Sequence, residues 1–412
     1  MEYGSEAVLE PWKRTMWILW AGVLLCSSSY TMAVPFLPLF LFELGVEDES
    51  VNLWAGVVHS SAFLVGAIMA PVWGSLADKY GKRKMVIRAG LSLGLIYGLI
   101  AFVQTPWQLV VVRMLHGLVG GFVPASMAIV ASIAPKEKMG WSLGMMQAGT
   151  MTGGIMGPLF GGLLAEGFGQ RMSFLIAAIL ILLAAVAVIF WVKEGNTVMP
   201  GKRQKMIEDL KYAVKSRTLL HLLLLLLIFQ MCINMVQPLL TLHIANLRGS
   251  LEGAVLSSGF IFALIGVAGI VASPVWGRAG EKKGYGIILT CCLGIAGVMA
   301  AMQYFVYELW LFTVVQFLFG LFMAGVAPTI NTLVVNNTSE EFRGRSFGLT
   351  ASANQFGAMI GPLLGGLLGL YLNIHWIFVA TGVIMAAAGW WVWVRFVLRR
   401  SSNKRKSATL QG

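Results

Sequence analysis

The chain has 412 residues, of which 58% are hydrophobic and 12% are charged, and its mean hydropathy is +0.78. A soluble domain is usually about 25% charged, so this composition excludes an ordinary soluble globular protein. The net charge of +12 suggests nucleic-acid binding at first sight, and the placement of the basic residues along the chain decides that question.

Twelve apolar runs predict an all-α integral membrane protein with twelve transmembrane helices. A helix needs about 20 apolar residues to cross a bilayer, and runs this long satisfy their backbone groups in lipid as helices. The first run is too long for the apolar core of a signal peptide, so it is the first span. The runs are 17–42, 53–73, 85–104, 108–134, 141–165, 172–192, 219–245, 253–276, 286–304, 310–335, 346–370 and 376–397.

The basic residues alternate with these spans. With the N-terminus inside the cell, 27 of the 30 Lys and Arg residues fall on the cytoplasmic side, Arg171 and Arg248 fall outside, and Arg113 lies within a span. This is the positive-inside pattern. The positive charge therefore predicts cytoplasmic N- and C-termini, with attraction to membrane lipid and no nucleic-acid partner.

An internal repeat divides the chain into two pseudo-symmetric six-helix bundles. Pro71-Val72-Trp73-Gly74 recurs 203 residues later from Pro274, and Gly157-Pro158 recurs 204 residues later at Gly361-Pro362. Repeated halves are typical of secondary transporters, whose substrate site lies between them. The predicted parts are a cytoplasmic N-terminal segment 1–16, an N-terminal bundle 17–192, a basic cytoplasmic central loop 193–218, a C-terminal bundle 219–398 and a basic disordered tail 399–412.

The stretch from Gly74 to Lys84 reads Gly-Ser-Leu-Ala-Asp-Lys-Tyr-Gly-Lys-Arg-Lys, and its charge and glycines predict a tight loop at a membrane surface. It resembles the loop between the second and third helices of the major facilitator superfamily. The resemblance implies the major facilitator fold and a conformational latch that holds the two halves together on the cytoplasmic side. A solvated, positive-inside loop is the alternative, and the second copy, 277–284, departs from the pattern. The latch residues are Gly74, Asp78, Lys79, Gly81, Lys82 and Arg83.

Arg113 is the basic residue placed well inside a predicted span. A charge there costs at least about 2.5–3.5 kcal/mol, so it indicates function. Arg113 with Gly117 is similar to the fourth-helix motif of proton-coupled exporters, which implies that Arg113 influences proton binding. An Arg that extends to one membrane surface is the alternative. The candidates for proton coupling are Arg113, His116 and Glu43, with His59 and His243 as further titratable residues, and the proton carrier itself stays open.

The fifth predicted helix carries glycines four residues apart, which let another backbone approach closely. Together with a proline they resemble the antiporter motif of exporters, and Pro35 with Pro38 resembles the first helix of the drug:proton antiporter branch with twelve spans. The resemblance implies export, whereas tight packing alone is the alternative. The motif residues are Gly149, Gly153, Gly157, Pro158, Gly161 and Gly162.

Polar residues within the spans are candidates for a substrate cavity. Gln230, Asn234 and Gln237 share one face of the seventh predicted helix. Such groups either line a cavity or form hydrogen bonds between helices, and the sequence leaves both readings open. The full set of candidates is Tyr30, Phe36, Gln230, Asn234, Gln237, Gln316, Asn354 and Gln355.

These features predict a multi-pass secondary transporter of the bacterial inner membrane that exports small lipophilic drugs or toxic compounds in exchange for protons by alternating access. We expect a monomer with no cofactor and no metal. An enzyme is not expected, because the sequence shows no nucleophile–base constellation and no phosphate-binding loop. The alternatives are an exporter of a specific metabolite, sugar or lipid, and a transport-dead sensor or assembly partner.

Overall fold

The computed structural model describes residues 11–32, 37–135, 138–192, 213, 215–338 and 340–398. The predicted tail, most of the central loop and residues 1–10 therefore lie outside the described part. The described residues are helical almost throughout. The helices are α1 (Pro11–Met32), α2 (Leu37–Glu43), α3 (Val51–Tyr80), α4 (Lys82–Ile100), α5 (Pro106–Val119), α6 (Phe122–Ile133), α7 (Met139–Phe168), α8 (Gln170–Trp191), α9 (Arg217–Val236), α10 (Leu240–Arg248), α11 (Ala254–Lys283), α12 (Tyr285–Met302), α13 (Leu309–Met323), α14 (Val326–Asn336), α15 (Glu340–Tyr371) and α16 (His375–Val392).

Every predicted apolar run coincides with one helix or with consecutive helical segments. The fourth, seventh and tenth runs each change direction or helix type between segments, and each still passes as one candidate span. The fourth run is interrupted between α5 and α6 at Gly121, whose φ of +112° glycine adopts readily and other residues rarely do,. The seventh changes to a 3-10 turn at Gln237–Leu239, which contains a proline. α1 begins at Pro11, within the N-terminal segment 1–16 that was predicted to precede the first span.

Eight helical segments of the described residues are long and apolar enough to cross a membrane, or nine if α1 and α2 form one span. α4, α7 and α15 are not among them. α4 carries four basic residues, and α7 and α15 are rich in glycine, which lowers their apolarity. Large apolar side chains such as Phe102, Phe190 and Trp390 are also exposed to about 70% of their surface. An exposed apolar surface of this kind suits lipid contact. Twelve spans and cytoplasmic termini stay predictions.

The stretch from Gly74 to Lys84 is not the predicted loop. α3 continues through Tyr80, and α4 begins at Lys82. Gly81, with φ of +97°, is the one residue between the two helices. The second copy has the same form, since Gly284 (φ +95°) separates α11 from α12. A single left-handed glycine is enough to end a helix and start the next, so both copies are helix ends rather than loops.

The chain forms two compact units. Unit 1 contains Met1–Val34 and Val65–Lys202, and unit 2 contains Pro35–Leu64 and Arg203–Gly412. Residues 35–64, which the repeat assigns to the N-terminal half, thus group with unit 2. In unit 1, α1 packs on α7 and α4 packs on α8. In unit 2, α9 packs on α15 and α12 on α16, so the two units repeat one pairing scheme.

Two clusters of buried side chains form the core of unit 2. One joins α9, α12 and α16 through residues such as Leu222, Leu289 and Met385. The other surrounds α10 with Ile244, Phe312 and Phe378. This second cluster lies at the end of the unit where α10 meets α13 and α16, and it contains buried polar side chains that are described below.

Candidate functional site

The glycine face of α7 lies directly against α1 in unit 1. A Cβ added at Gly153 would come within 2.7 Å of Ser27 Cβ, and one at Gly161 within 2.7 Å of Met32 Cβ. At Gly149 the nearest atom would be Trp20 Nε1 at 2.8 Å. Gly162 is also buried, and Pro158 lies inside the helix. These glycines therefore allow two backbones to approach to a distance that any side chain would prevent.

The corresponding face of α15 makes the same contact with α9 in unit 2. A Cβ at Gly357 would lie 2.9 Å from Gln230 Cβ, and one at Gly361 would lie 3.0 Å from the backbone N of Met235. The close-packed pair is thus present in both units. Close packing accounts for this glycine pattern without reference to the direction of transport.

Arg113 lies in a buried cluster of polar and aromatic side chains in unit 1. It is 4% exposed, and His116, one turn further along α5, is 8% exposed. The ring centroid of His116 is 5.6 Å from that of Tyr30 and 5.5 Å from that of Tyr97. Arg113 lies near both tyrosines.

The burial of this cluster bears on the alternative reading of Arg113. A side chain that extends to the membrane surface would expose its guanidinium group, whereas Arg113 is enclosed by unit 1. Tyr97 further fixes the cluster, because its hydroxyl donates a hydrogen bond of 2.7 Å to the backbone O of Ser29. Glu43, the third predicted coupling residue, is the exposed last residue of α2 and belongs to unit 2.

The basic residues after Asp78 donate hydrogen bonds to backbone carbonyl groups of other helices in unit 1. Lys82 Nζ donates to the backbone O of Ala128 at 3.3 Å, and Arg83 Nη2 donates to the backbone O of Ile189 at 2.6 Å. Lys79 is exposed. The surroundings of Gly74 and the side chain of Asp78 lie outside the described part of the structure. The latch contact of Asp78 therefore stays a prediction.

Trp73 and Arg88 flank this motif, and sequence reasoning missed both as structural residues. The guanidinium carbon of Arg88 lies 3.4 Å from the ring centroid of Trp73, and Arg88 Nη2 donates to the backbone O of Gly120 at 2.9 Å. Trp73 Nε1 donates to the backbone O of Leu118. The pair therefore satisfies carbonyl groups at the α5–α6 break. The internal repeat could have indicated the structural role of Trp73, because its repeat partner Trp276 in unit 2 donates the matching hydrogen bond to the backbone O of Leu321 at 2.7 Å.

The predicted substrate-cavity residues belong to both units. Asn234 is buried and donates to the backbone O of Gln230 at 2.9 Å. Gln316 is buried and donates to Gln303 Oε1 at 3.1 Å. Gln316 thus forms a hydrogen bond with another segment of unit 2, as the alternative reading describes. The bond of Asn234 lies within α9 and leaves both readings open.

The remaining cavity candidates are divided between the two units. Gln237 begins the 3-10 turn after α9, and Asn354 and Gln355 are half-buried on α15. All three belong to unit 2, whereas Tyr30 belongs to the Arg113 cluster of unit 1. Phe36 lies outside the described residues.

A pair of histidines in unit 2 forms a second buried cluster. The rings of His243 on α10 and His375 on α16 lie 4.9 Å apart and nearly perpendicular. His243 is 0% exposed, and the rings of Phe312 and Phe378 lie 4.8 and 4.7 Å from it. The sequence singled out His243 but not His375. The two are distant in the chain, and no spacing rule could have paired them.

Metal binding is not supported by these clusters. Among the residues that the structure describes, no group of three or more His, Cys, Asp or Glu side chains could hold a metal ion. All four cysteines are unpaired, and Cys26, Cys232 and Cys292 are buried.

Helices of this kind in two matching units define a polytopic transporter fold, and comparison with known proteins identifies the family. The sequence model of the Major Facilitator Superfamily matches residues 19–272 and 250–412. The chain belongs to the major facilitator superfamily, as the Gly74–Lys84 motif predicted. It is therefore a membrane transporter, and its family and relatives are transporters rather than enzymes.

Relatives and solved structures agree with this assignment. The chain is 33% identical over 387 residues to the "Multidrug resistance protein MdtG" of Proteus mirabilis, which covers 93% of this chain and 96% of that protein. It is 34% identical over 376 residues to the protein of the same name from Escherichia fergusonii, covering 91% and 92%. The fold is similar to that of the nucleoside transporter NupG, with a TM-score of 0.79 at 12% identity over 93% of this chain and 100% of that one. It is also similar to a bacterial homologue of the human lysosomal transporter Spinster in an inward-facing and occupied conformation, with a TM-score of 0.80 at 13% identity over 95% and 97%.

Proposed function

We propose that this transporter exports small lipophilic drugs or toxic compounds from a bacterial cell in exchange for protons, by alternating access. Its place would be the inner membrane, its working unit a monomer, and its partners small lipophilic substrates, protons and membrane lipid. The proposal includes no cofactor and no nucleic-acid partner. The relatives named multidrug resistance proteins support the substrate class, because the similarity covers nearly the whole of both chains.

The observation that carries the proton-driven part is the burial of Arg113 in unit 1. A permanent charge enclosed with two phenols and an imidazole is costly to keep, and intramembrane charges of this kind are typical of proton and ion pathways. One proton driven by about 150 mV supplies roughly 3.5 kcal/mol, which supports a substrate gradient of a few hundredfold. The driving force is therefore sufficient for drug export without a nucleotide.

Inside-out vesicles with an imposed proton gradient and a pH-sensitive dye test the proposal. We expect several unrelated lipophilic cations and neutral drugs to dissipate the gradient in vesicles that contain the wild-type protein. The same compounds should have no effect with Asp78→Asn, while Glu281→Gln, the matching change in the second copy of the motif, serves as the control. No response to any compound, in protein shown to be folded, would contradict proton-coupled drug export. A response to a single metabolite would favour the narrow exporter.

A further inference from the structure

In the conformation that the structure shows, the surroundings of His243 in the His243–His375 pair fit a neutral imidazole. Neither Nδ1 nor Nε2 of His243 has a hydrogen-bond partner among the described residues. The ring is instead enclosed by the aromatic side chains of Phe312 and Phe378 and by the ring of His375. A protonated imidazole is a donor at both nitrogens and needs two acceptors, which this enclosure does not provide. Buried polar groups without partners are rare and require an explanation.

His375 links this enclosed ring to a cavity in unit 2. Its Nδ1 lies 2.8 Å from Oδ1 of Asn373, and Asn373 lines a cavity of about 450 Å³ at the ends of α3, α10 and α15. Leu242 and Ile374, the neighbours of the two histidines in the chain, line the same cavity. So does Asp48, an exposed carboxylate. A cavity of this size holds water, so a proton can reach the pair from this side.

The groups that face the pair leave His243 and His375 as its titrating members. The titratable ring in contact with His243 is that of His375, at 4.9 Å. From α13 and α16 the neighbours are Phe312 and Phe378, which do not titrate. Tyr304 and Tyr307, from the segment between α12 and α13, contact His375 with ring distances of 6.2 and 5.7 Å. A tyrosine hydroxyl ordinarily stays protonated near neutral pH.

The charged residues nearest to the pair along the chain have other partners. Arg248, the last residue of α10, donates to Ser257 Oγ at 2.9 Å. Glu308, the residue before α13, accepts a hydrogen bond from Trp310. Glu43, the last residue of α2, which packs near α10, is exposed. His116 is a weaker candidate for the proton, because it lies one turn from the permanent charge of Arg113, which repels a second positive charge.

We propose that His243 and His375 together form the proton-binding site of this transporter. One proton enters from the cavity and adds to a ring nitrogen of the pair, and the same bond breaks when the proton leaves. His243 as described is enclosed without acceptors and fits the neutral form, so a conformation that admits water or acceptors to it would bind the proton better. Two conformations with different proton affinities are what couples a proton to a conformational change.

The distribution of Lys and Arg along the chain predicts that the end of unit 2 with the histidine pair faces outside the cell. A proton-driven exporter takes up protons from that side. The inference rests on the proposed proton-driven function, since a transporter without proton coupling needs no such site. It assigns the carrier that the sequence left open and gives the cavity beside Asn373 the role of a proton entrance.

The test compares two modes of transport in proteoliposomes, with ethidium as the probe. Uphill transport driven by a proton gradient requires coupling, whereas equilibration of ethidium down its own gradient does not. We expect His243→Phe, which fills the same aromatic enclosure, to lower the uphill accumulation ratio at least tenfold and to keep downhill equilibration within about twofold of wild type. His221→Phe is the matched control and should retain both modes. His221, in α9, contacts the ring of Trp391 near the C-terminal end of α16, whereas His375 begins that helix.

A second pair of variants and a second readout keep the test independent of folding. His243→Gln and His375→Gln remove the titrating groups while they preserve polarity, and both should flatten the dependence of uphill transport on pH between about pH 5.5 and 7.5. Purified wild-type protein in weak buffer should release close to one proton when ethidium is added, and His243→Phe should release none. Wild-type uphill transport and proton release in every variant would overturn the inference. Absence of coupling in the wild type itself would instead contradict the proposed function.

Discussion

The contact between α7 and α1 predicts opposite outcomes for two glycines that lie three residues apart. A Cβ at Gly157 would lie 3.0 Å from the carbonyl carbon of Ser28 and closer still to that carbonyl oxygen and to Thr31 Oγ1. A Cβ at Gly154 on the same helix would meet nothing within 4 Å. Gly157→Ala should therefore force α7 away from α1, whereas Gly154→Ala should be accommodated.

The comparison isolates the steric cost. Replacing Gly by Ala within a helix stabilises it by about 0.5–1 kcal/mol, and this gain is common to both variants. Added volume in a packed contact costs about 1–3 kcal/mol, and here the obstacle is backbone, which cannot rotate aside. The difference between the variants is then about 2 kcal/mol. For a unit of this size that corresponds to about 4–8 °C in the midpoint of thermal unfolding.

Unfolding can be followed by the reaction of a thiol-specific dye with buried cysteines in detergent-solubilised protein. Cys26 on α1 is buried, while Cys291 is exposed, so the measurement uses a Cys291→Ser background in which early labelling is removed. We expect Gly157→Ala to shift the midpoint down by about 4–8 °C relative to Gly154→Ala. Equal midpoints for the two variants would refute the close approach of α7 to α1.

Three further predictions follow from contacts in the structure. Arg113→Ala should lower proton-driven ethidium accumulation while equilibrium binding of ethidium changes less than about threefold; a loss of binding that matches the loss of accumulation would contradict a coupling role. Trp73→Phe removes an indole hydrogen bond and should lower unfolding stability by about 1 kcal/mol, whereas Trp390→Phe, at a site 69% exposed, should not, as thermal unfolding can show. Asn52 Nδ2 donates to the backbone O of Gly369 at 3.0 Å, so Asn52→Leu should speed amide hydrogen exchange at the start of α3 and the end of α15, and unchanged exchange there would exclude a stabilising role for this bond.

Features with a local cause were predictable from the sequence. The helices follow from apolar runs, because burial in lipid requires long uninterrupted helical segments. The repeat at Gly157 and Gly361 anticipated the matching α1–α7 and α9–α15 contacts, since glycines four residues apart form one smooth helix face. The Gly74–Lys84 motif gave the family. Its conformation was predicted wrongly, because charged residues suggest a loop even where the helix continues to Tyr80 and one glycine makes the turn.

Features that depend on distant parts of the chain were not predictable in the same way. His375 carries no local signal, and its meaning comes from the packing of α16 against α10. The stacking of Arg88 on Trp73 was hidden because Arg88 counted as one more positive-inside residue. Gln316 was predicted as a cavity residue, and its hydrogen-bond partner Gln303 was not singled out from the sequence. In each case the sequence supplied the residue, and only the fold supplied its neighbour.

Arg113 and His243 divide the requirements of proton coupling between a fixed charge and a titrating group, and a double variant tests that division. Arginine does not release its proton under physiological conditions, so Arg113 can influence coupling but cannot carry the proton. If both residues serve one coupling step, Arg113→Ala combined with His243→Phe should reduce uphill ethidium accumulation no further than His243→Phe alone, because residues that act as a unit are strongly non-additive. Losses that multiply, with downhill transport intact, would mean that the two residues act in separate steps and that another group shares the proton with the histidine pair.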